Sequence, residues 1–331
     1  MVSTSKTNGK LPPKRKLPTV PLESVWRPKD TGFVPLTIID FRVHLHFILG
    51  KVAEYSQAVD FGLPPKGDSE RWLEWELALL ATEEFAVWLR AAWTQRLMRG
   101  PDMLPQTSHR IVVVDDARGE RGYWRNLELT SYKGDRSSVR SPMYAAVKDA
   151  GYAQMIRYKL PVFSKKLFEA DDWAGAVYRL KLHACKEAPD SCLAQRELFY
   201  STVDGDWMQL VDDASRQYWA NTGPWVSRLK NEAETRSYVR KKLGVAIKHP
   251  NEIARAKHIA GDLGDCLPAG SPIELFELTT AHHEYFLEGS EEWLGLEAEL
   301  ASLDSNCNFD ALRNSIAYCV QKCLPICIGR G

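Results

Sequence analysis

The chain has 331 residues, 44% of them hydrophobic, and its 43 basic side chains balance 43 acidic ones. That composition fits a soluble globule of one large domain or two medium ones, and it excludes collagen-like, low-complexity and wholly disordered chains. No apolar run reaches the ~18 residues of a membrane helix, the first residues lack a secretory h-region, and seven cysteines, an odd count, read as reduced thiols. An intracellular protein (cytoplasm or nucleus) or a virion component is expected, without a membrane partner.

Charge is unevenly spread. The first thirty residues hold Lys6, Lys10, Lys14, Arg15, Lys16, Arg27 and Lys29 against Glu23 and Asp30, a local net charge of +5 that leaves −5 for the rest. Five prolines (Pro12, Pro13, Pro18, Pro21 and Pro28) punctuate the same stretch. Such a segment cannot bury enough apolar surface to fold alone, so residues 1–35 are expected to form an extended arm ordered only against a partner. Residues 36–331 read as a single α-rich body, subdivided, if anywhere, near 100–140.

Within the body, helical spacing of Ile38, Phe41, Leu45, Ile48, Leu49, Val52 and Tyr55 predicts a helix over Thr37–Val59. After Phe61-Gly-Leu-Pro-Pro-Lys-Gly67, Asp68 or Ser69 is placed to cap a second helix running to Arg99. This helix is apolar on two sides, with Trp72, Trp75, Leu79 and Ala86 on one and Leu73, Leu77, Leu80 and Trp88 on the other. It is therefore expected inside a core or between subunits, with Trp72, Trp75 and Trp88 as interface residues. The β-branched run Arg110–Asp115 and the alternating run Tyr123–Thr130 predict one inserted β-hairpin. Ser141-Pro142 then starts a helix, and Asp171 and Asp172 can cap the one holding Trp173, Val177 and Leu180. Further helices are predicted over 189–200, 206–220, 224–243, 250–263, 272–287, 291–303 and 309–324. The fold class expected is mainly α.

Candidate sites are few. Pro12-Pro-Lys-Arg-Lys-Leu-Pro18 could neutralise phosphates or serve as an import signal, and the helix from Pro224 carries Arg228, Lys230, Arg236, Arg240, Lys241 and Lys242 with Tyr238 interleaved. Lys6, Lys10, Lys14, Arg15, Lys16, Arg236, Arg240, Lys241 and Lys242 are thus the candidate contacts to nucleic acid, with RNA favoured and no sequence readout. A solvated face matching the helix dipole also accounts for the second group. Arg136 and Arg140 around Ser137-Ser138 could hold a phosphate in a loop, though no P-loop is present. The acidic pairs Asp115-Asp116 (with Glu120) and Asp212-Asp213 invite an alternative, a helical Mg²⁺-dependent enzyme acting on a diphosphate. In size and helix content the chain is similar to class I terpene synthases, but neither acidic pair matches that family's metal motifs, and caps and turns explain the acids more simply. Cys319, Cys323 and Cys327 lack the paired spacing of a zinc site, and His44, His46, His282 and His283 lack matched ligands. No catalytic residue, metal site or cofactor is expected.

In layout, a basic arm before a Trp-rich helical body, the chain resembles the mostly helical coat proteins of small double-stranded-RNA viruses. The resemblance implies a non-enzymatic subunit that assembles with copies of itself and packages nucleic acid. A nuclear nucleic-acid-binding regulator is the second reading. No motif matches residue by residue, so the resemblance transfers no site.

Overall fold

Three short runs, Leu36–Asp40, Arg110–Val114 and Leu198–Thr202, are apolar, β-branched or aromatic at most positions and are buried almost throughout. That is the signature of strands covered on both faces of a parallel sheet rather than of amphipathic strands. The computed structural model describes residues 34–97, 110–118, 122–134, 140–212, 215–219, 229–230, 232–279 and 291–306. Strands β1 (Leu36–Asp40), β2 (Arg110–Val114), β3 (Val162–Phe163), β4 (Leu198–Thr202), β5 (Ser215–Trp219) and β6 (Leu229–Lys230) form one sheet. Its order is β3-β2-β1-β4-β5-β6, parallel except where β6 meets β5.

Helices α1 (Phe41–Ala58), α2 (Ser69–Leu80) and α3 (Glu83–Leu97) connect β1 to β2. Next come α4 (Trp124–Glu128) and α5 (Pro142–Arg157) before β3, and α6 (Ala170–Glu187) and α7 (Cys192–Gln195) before β4. Helices α8 (Glu232–Leu243), α9 (Ile253–Ala260) and α10 (Glu291–Asn306) follow β6. Strand alternation sends Leu36, Ile38, Val112, Val114, Leu198 and Tyr200 into a core with Trp173, Val177, Leu180, Trp293 and Leu296. Ile39, Ile111 and Val113 face the other way, onto Phe41, Leu45, Trp93, Val147 and Met155. Among the described residues no helix is long and apolar enough to cross a membrane.

Helix remains the commonest regular structure, as expected, but it surrounds a central sheet that the periodicity did not reveal. The predicted helix over 37–59 starts as a strand, because Asp40 caps α1 by accepting the Val43 N–H at 3.3 Å. Asp68 caps α2 and Ser141-Pro142 opens α5, both as expected. The long helix to Arg99 breaks at Ala81 and Thr82, where the Thr82 hydroxyl accepts the Phe85 N–H at 3.3 Å and starts α3. It is not the central helix of a core: Leu79 is its buried residue in α2, Trp72, Trp75 and Trp88 are half-buried, and Trp93 is the tryptophan fully enclosed.

The hairpin is also corrected. β2 pairs in parallel with β1 and β3, and 124–128 is a helical turn begun by Asn126 Oδ1 accepting the Tyr123 N–H at 2.8 Å. Predicted helices over 189–200 and 206–220 shrink to α7 and a 3-10 turn, Asp206–Leu210, each followed by a strand. The one over 224–243 is helical from Glu232 on. The helix over 250–263 becomes a 3-10 turn plus α9, the described part of the one over 272–287 holds a 3-10 turn at Ile273–Leu275 while residues 280–287 lie outside the described residues, and 291–303 is α10 as expected. Residues 1–33 of the arm, with Lys6, Lys10, Lys14, Arg15 and Lys16, and the predicted helix 309–324 lie outside the described residues.

Candidate metal centre

In an open parallel sheet the chain leaves every strand at the same edge. Where β1 crosses to β2 on one side and β4 enters on the other, a crevice is left at their carboxyl ends. Five segments deliver carboxylates to it. Asp40 ends β1, and Asp115 and Asp116 follow β2. Glu169, Asp171 and Asp172 come from the first turn of α6, Asp204 and Asp206 follow β4, and Asp262 and Asp265 lie just after α9.

Hydrogen bonds fix these groups. The Thr202 hydroxyl donates to Asp40 Oδ2 at 2.8 Å, and the N–H groups of Asp204 and Asp206 donate to Thr202 Oγ1 and Asp204 Oδ1 at 3.0 and 2.9 Å. Asp116 takes the Ala170 N–H at 2.8 Å on one oxygen and Arg42 on the other, tying β2 and α1 to the start of α6. Asp115 accepts the Tyr152 hydroxyl at 2.7 Å and pairs with Lys148 at 3.3 Å. Asp171 accepts the Trp207 indole N–H at 2.7 Å.

Beneath this layer, buried Arg125 bridges Glu169 at 2.8 Å and Asp172 at 2.9 Å, while the Tyr132 hydroxyl and Lys133 complete the shell of Glu169. Lys133 has a left-handed backbone, φ 50°, and its N–H donates to the Asp265 carbonyl at 3.1 Å. A residue type that seldom adopts this conformation is thus held with its ammonium 3.6 Å from Asp265. Lys257 pairs with Asp206 and Asp262.

Two classes of carboxylate result. Burial works against Glu169, but Lys133 and Arg125 outweigh it and bring its pKa down to about 2. Asp40 is pushed up to about 7 by burial, then by the charges of Asp116 and Asp204. Asp204 rises to about 6 through burial and Asp206, and burial with Asp204 lifts Asp171 well above the usual range. The buried cations therefore hold Glu169 down, while Asp40, Asp171, Asp172 and Asp204 are pushed up, by burial first and then by like-charged neighbours. Asp206, Asp262 and Asp265 each bring a carboxylate oxygen within 4.8 Å of the others, close enough to share one ion. An all-oxygen, anionic donor set suits Mg²⁺ or Mn²⁺.

Of the residues singled out in the sequence, Asp115 and Asp116 are in the crevice. Asp212 is not, since it accepts the Tyr178 hydroxyl at 2.9 Å outside this cluster, and Asp213 lies outside the described residues. The supposed caps Asp171 and Asp172 belong to the site, although Asp172 also accepts the Glu169 N–H at 2.9 Å. From the basic stripe, Arg236 pairs with Glu232 at 3.1 Å, and Arg240 and Lys241 are exposed. Burial works against Asp262, but Lys257 outweighs it and lowers its pKa, with a smaller contribution from Lys242, exposed at the end of α8. Asp40, Glu169, Asp204, Asp206, Asp262, Asp265, Lys133 and Lys257 went unrecognised. The one local signal was Gly261-Asp-Leu-Gly-Asp265, two acids between turn glycines.

No protein-family model matches the chain, and no curated protein matches it. Among solved structures it is similar to the bacteriophage T5 5'-exonuclease with bound zinc (16% identity, TM-score 0.40, covering 87% of this chain and 98% of that one). It is also similar to the T5 D15 protein co-crystallised with metal ions (17% identity, TM-score 0.38, covering 88% and 99%). A third is a T5 D15 flap endonuclease variant in a pseudo-enzyme-product complex with DNA and metal ions (17% identity, TM-score 0.37, covering 87% and 98%). The central, mostly parallel sheet departs from the mostly helical body expected, and it corrects the resemblance to double-stranded-RNA virus coat proteins. The expectation of a non-enzymatic, shell-forming subunit is corrected with it, since five segments bring carboxylates together in one crevice.

Proposed function

We propose that the chain is a divalent-metal-dependent nuclease that hydrolyses phosphodiester bonds of nucleic acid in the crevice at the carboxyl edge of the sheet. The observation that carries this reading is the convergence of carboxylates from five segments in one crevice, some paired with buried cations and the rest crowded against one another. Carboxylates crowded in this way raise one another's pKa, a cost that a bound divalent cation would relieve. Asp206, Asp262 and Asp265 are the residues to share one cation, with Asp40, Asp116, Asp171 and Asp204 adding negative charge around them. When bound, such a cation supplies charge neutralisation and Lewis-acid polarisation of the phosphoryl group and favours ionisation of water.

The chain's own residues do the rest. Arg42, a quarter exposed beside Asp116, is placed to take a phosphate oxygen at the mouth. Burial opposes the charge on Lys133, yet Glu169 and Asp265 outweigh it and keep it an ammonium directed at the crevice. Arg125 locks Glu169 and Asp172, and with them the start of α6, so that Asp171 and the Ala170 N–H stay in position. Polymeric nucleic acid is favoured over a small phosphodiester by the basic and aromatic rim of Arg42, Lys148, Tyr144, Tyr152 and Arg140.

Incubating the purified chain with single- and double-stranded DNA and RNA tests this directly. Cleavage with Mg²⁺ or Mn²⁺ and none in EDTA is the expected result. Asp116→Asn should lower kcat by about a hundredfold or more, since even outer-shell losses at metal sites cost 10–100-fold. No metal-dependent cleavage of any of the four substrates would sink the reading.

A further inference from the structure

Two helices leave the crevice side by side, and each carries a stripe of its own. On α1, Arg42, His46, Leu49 and Ala53 follow at intervals of three or four residues and so share one face. On α5, Tyr152, Lys148 and Tyr144 do the same and lead back to Arg140, just before the helix. The stripes meet at both ends. At the crevice, Arg42 holds Asp116 while Tyr152 and Lys148 hold Asp115. Away from it, the His46 and Tyr144 rings lie 6.0 Å apart and the Arg140 guanidinium stacks over Tyr144 at 4.7 Å. A basic, aromatic track therefore runs from Asp115 and Asp116 along the seam between α1 and α5.

The track ends in a cavity of about 270 Å³, walled by Leu49, Trp72, Trp75, Glu76, Arg140 and Tyr144. At ~1.5 Å of rise per residue, Leu49–Ala53 lies roughly 14–20 Å along α1 from Asp40, a span of about two or three nucleotides. The two indoles are fixed before any ligand arrives. Trp72 and Trp75 donate their N–H groups to the carbonyls of Pro65 at 3.1 Å and Gly62 at 2.8 Å, and their rings meet edge-to-face at 5.2 Å. Their polar atoms are satisfied, so what they offer the cavity is aromatic face. Glu76 adds a polar wall, held by the Met143 N–H at 3.0 Å.

We propose that the seam between α1 and α5 guides a single-stranded segment of the nucleic acid away from the carboxylate crevice, and that the cavity at its end holds one unstacked base. The inference rests on the nuclease reading, because the track is defined by where it starts. Cations that follow the backbone and aromatic faces that take bases are the two elements by which single strands are held. A duplex does not fit this occupant: its bases are stacked on one another and cannot enter a cavity walled by fixed indoles.

The test compares a single-stranded 12-mer, as DNA or RNA according to which the unaltered chain cleaves faster, with bis(p-nitrophenyl) phosphate, too short to reach the cavity. Trp72→Ala and Trp75→Ala should each raise the KM for the 12-mer about tenfold relative to that for the small diester, the effect of losing one base–aromatic stack. Trp75→Phe should recover most of the loss. Arg140→Ala, at an exposed position, should raise the same ratio by a smaller factor and decides the matter if a tryptophan variant folds poorly. An unchanged ratio in both Trp72→Ala and Arg140→Ala overturns the base-holding cavity and leaves the nuclease reading standing. Failure of the unaltered chain to cleave either substrate overturns the nuclease reading and the track together.

Discussion

Asp40 gives one carboxylate three duties. It ends β1, caps α1 through the Val43 N–H, and accepts the Thr202 hydroxyl from β4, so it pins the two central strands where the crevice opens. Those bonds favour the ionised form, yet burial and the neighbouring charges of Asp116 and Asp204 win and lift its pKa to about 7. A group kept for stability would not be placed there. Asp40→Asn keeps the shape and removes the charge, so two effects of opposite sign are expected. In EDTA at pH 8 the variant should be more stable than the parent by on the order of 1 kcal/mol, since relief of like-charge repulsion outweighs a weaker cap. With Mg²⁺ it should lose most nuclease activity. Thermal melts in EDTA and initial rates on one DNA substrate measure both, and a variant that is less stable in EDTA yet fully active would mean that Asp40 is only a cap.

Between elements, the crevice depends on how closely α1 and α5 approach. Gly151 on α5 faces Phe41 and Trp93, and a Cβ added there would come within 2.6 Å of the Trp93 ring and 2.8 Å of Phe41. Both rings are fully buried, they stack at 5.1 Å, and the Trp93 N–H donates to the Val147 carbonyl at 2.8 Å, so neither can yield. Gly151→Ala should therefore cost ~1–3 kcal/mol as overpacking, where a helix-interior glycine otherwise gains from alanine. A urea melt measures it, and a stabilised variant would show that α5 can move outward.

This packing explains what the sequence made legible. Capping chemistry is local, so Asp68 and Ser141-Pro142 could be read in advance. A five-residue strand buried on both faces has no alternation, so Leu198–Thr202 passed for part of a helix and Arg110–Val114 for half of a hairpin. The carboxylates are separated by up to 225 residues and meet only once the strand order is known. Asp115-Asp116 stood out as an acidic pair, but the partner that sequence proximity offered, Asp212-Asp213, was the wrong one. The right partners, Asp40 and Asp204, are single acids after short strands, which nothing local distinguishes from turn residues.

At the scale of the whole molecule, an acid-crowded crevice ties stability to pH and to metal in a predictable direction. Asp40 and Asp204, raised to about 7 and about 6, and Asp171, raised well above its ordinary value, bind protons in the folded state at pH values where the unfolded chain has released them. Their contribution is fully present below the ordinary carboxylate range, near pH 4, and is lost as pH rises through 6 to 7. Glu169, lowered to about 2, acts in the opposite sense: its contribution is present above about pH 4.5 and is lost as pH falls towards 2. The metal-free chain should therefore be most stable near pH 5 and less stable at pH 8. On the proposed reading divalent cations bind the ionised crevice and not the unfolded chain, so they should reverse this, with a gain of about 4 kcal/mol at a concentration a thousand times the Kd. Melting temperatures recorded from pH 4 to 9 in EDTA and again in millimolar Mg²⁺ or Mn²⁺ give two curves to compare. They should lie close together at pH 5 and separate progressively above pH 6. Curves that stay parallel across the whole range would mean that the crowded carboxylates are not where the cations bind.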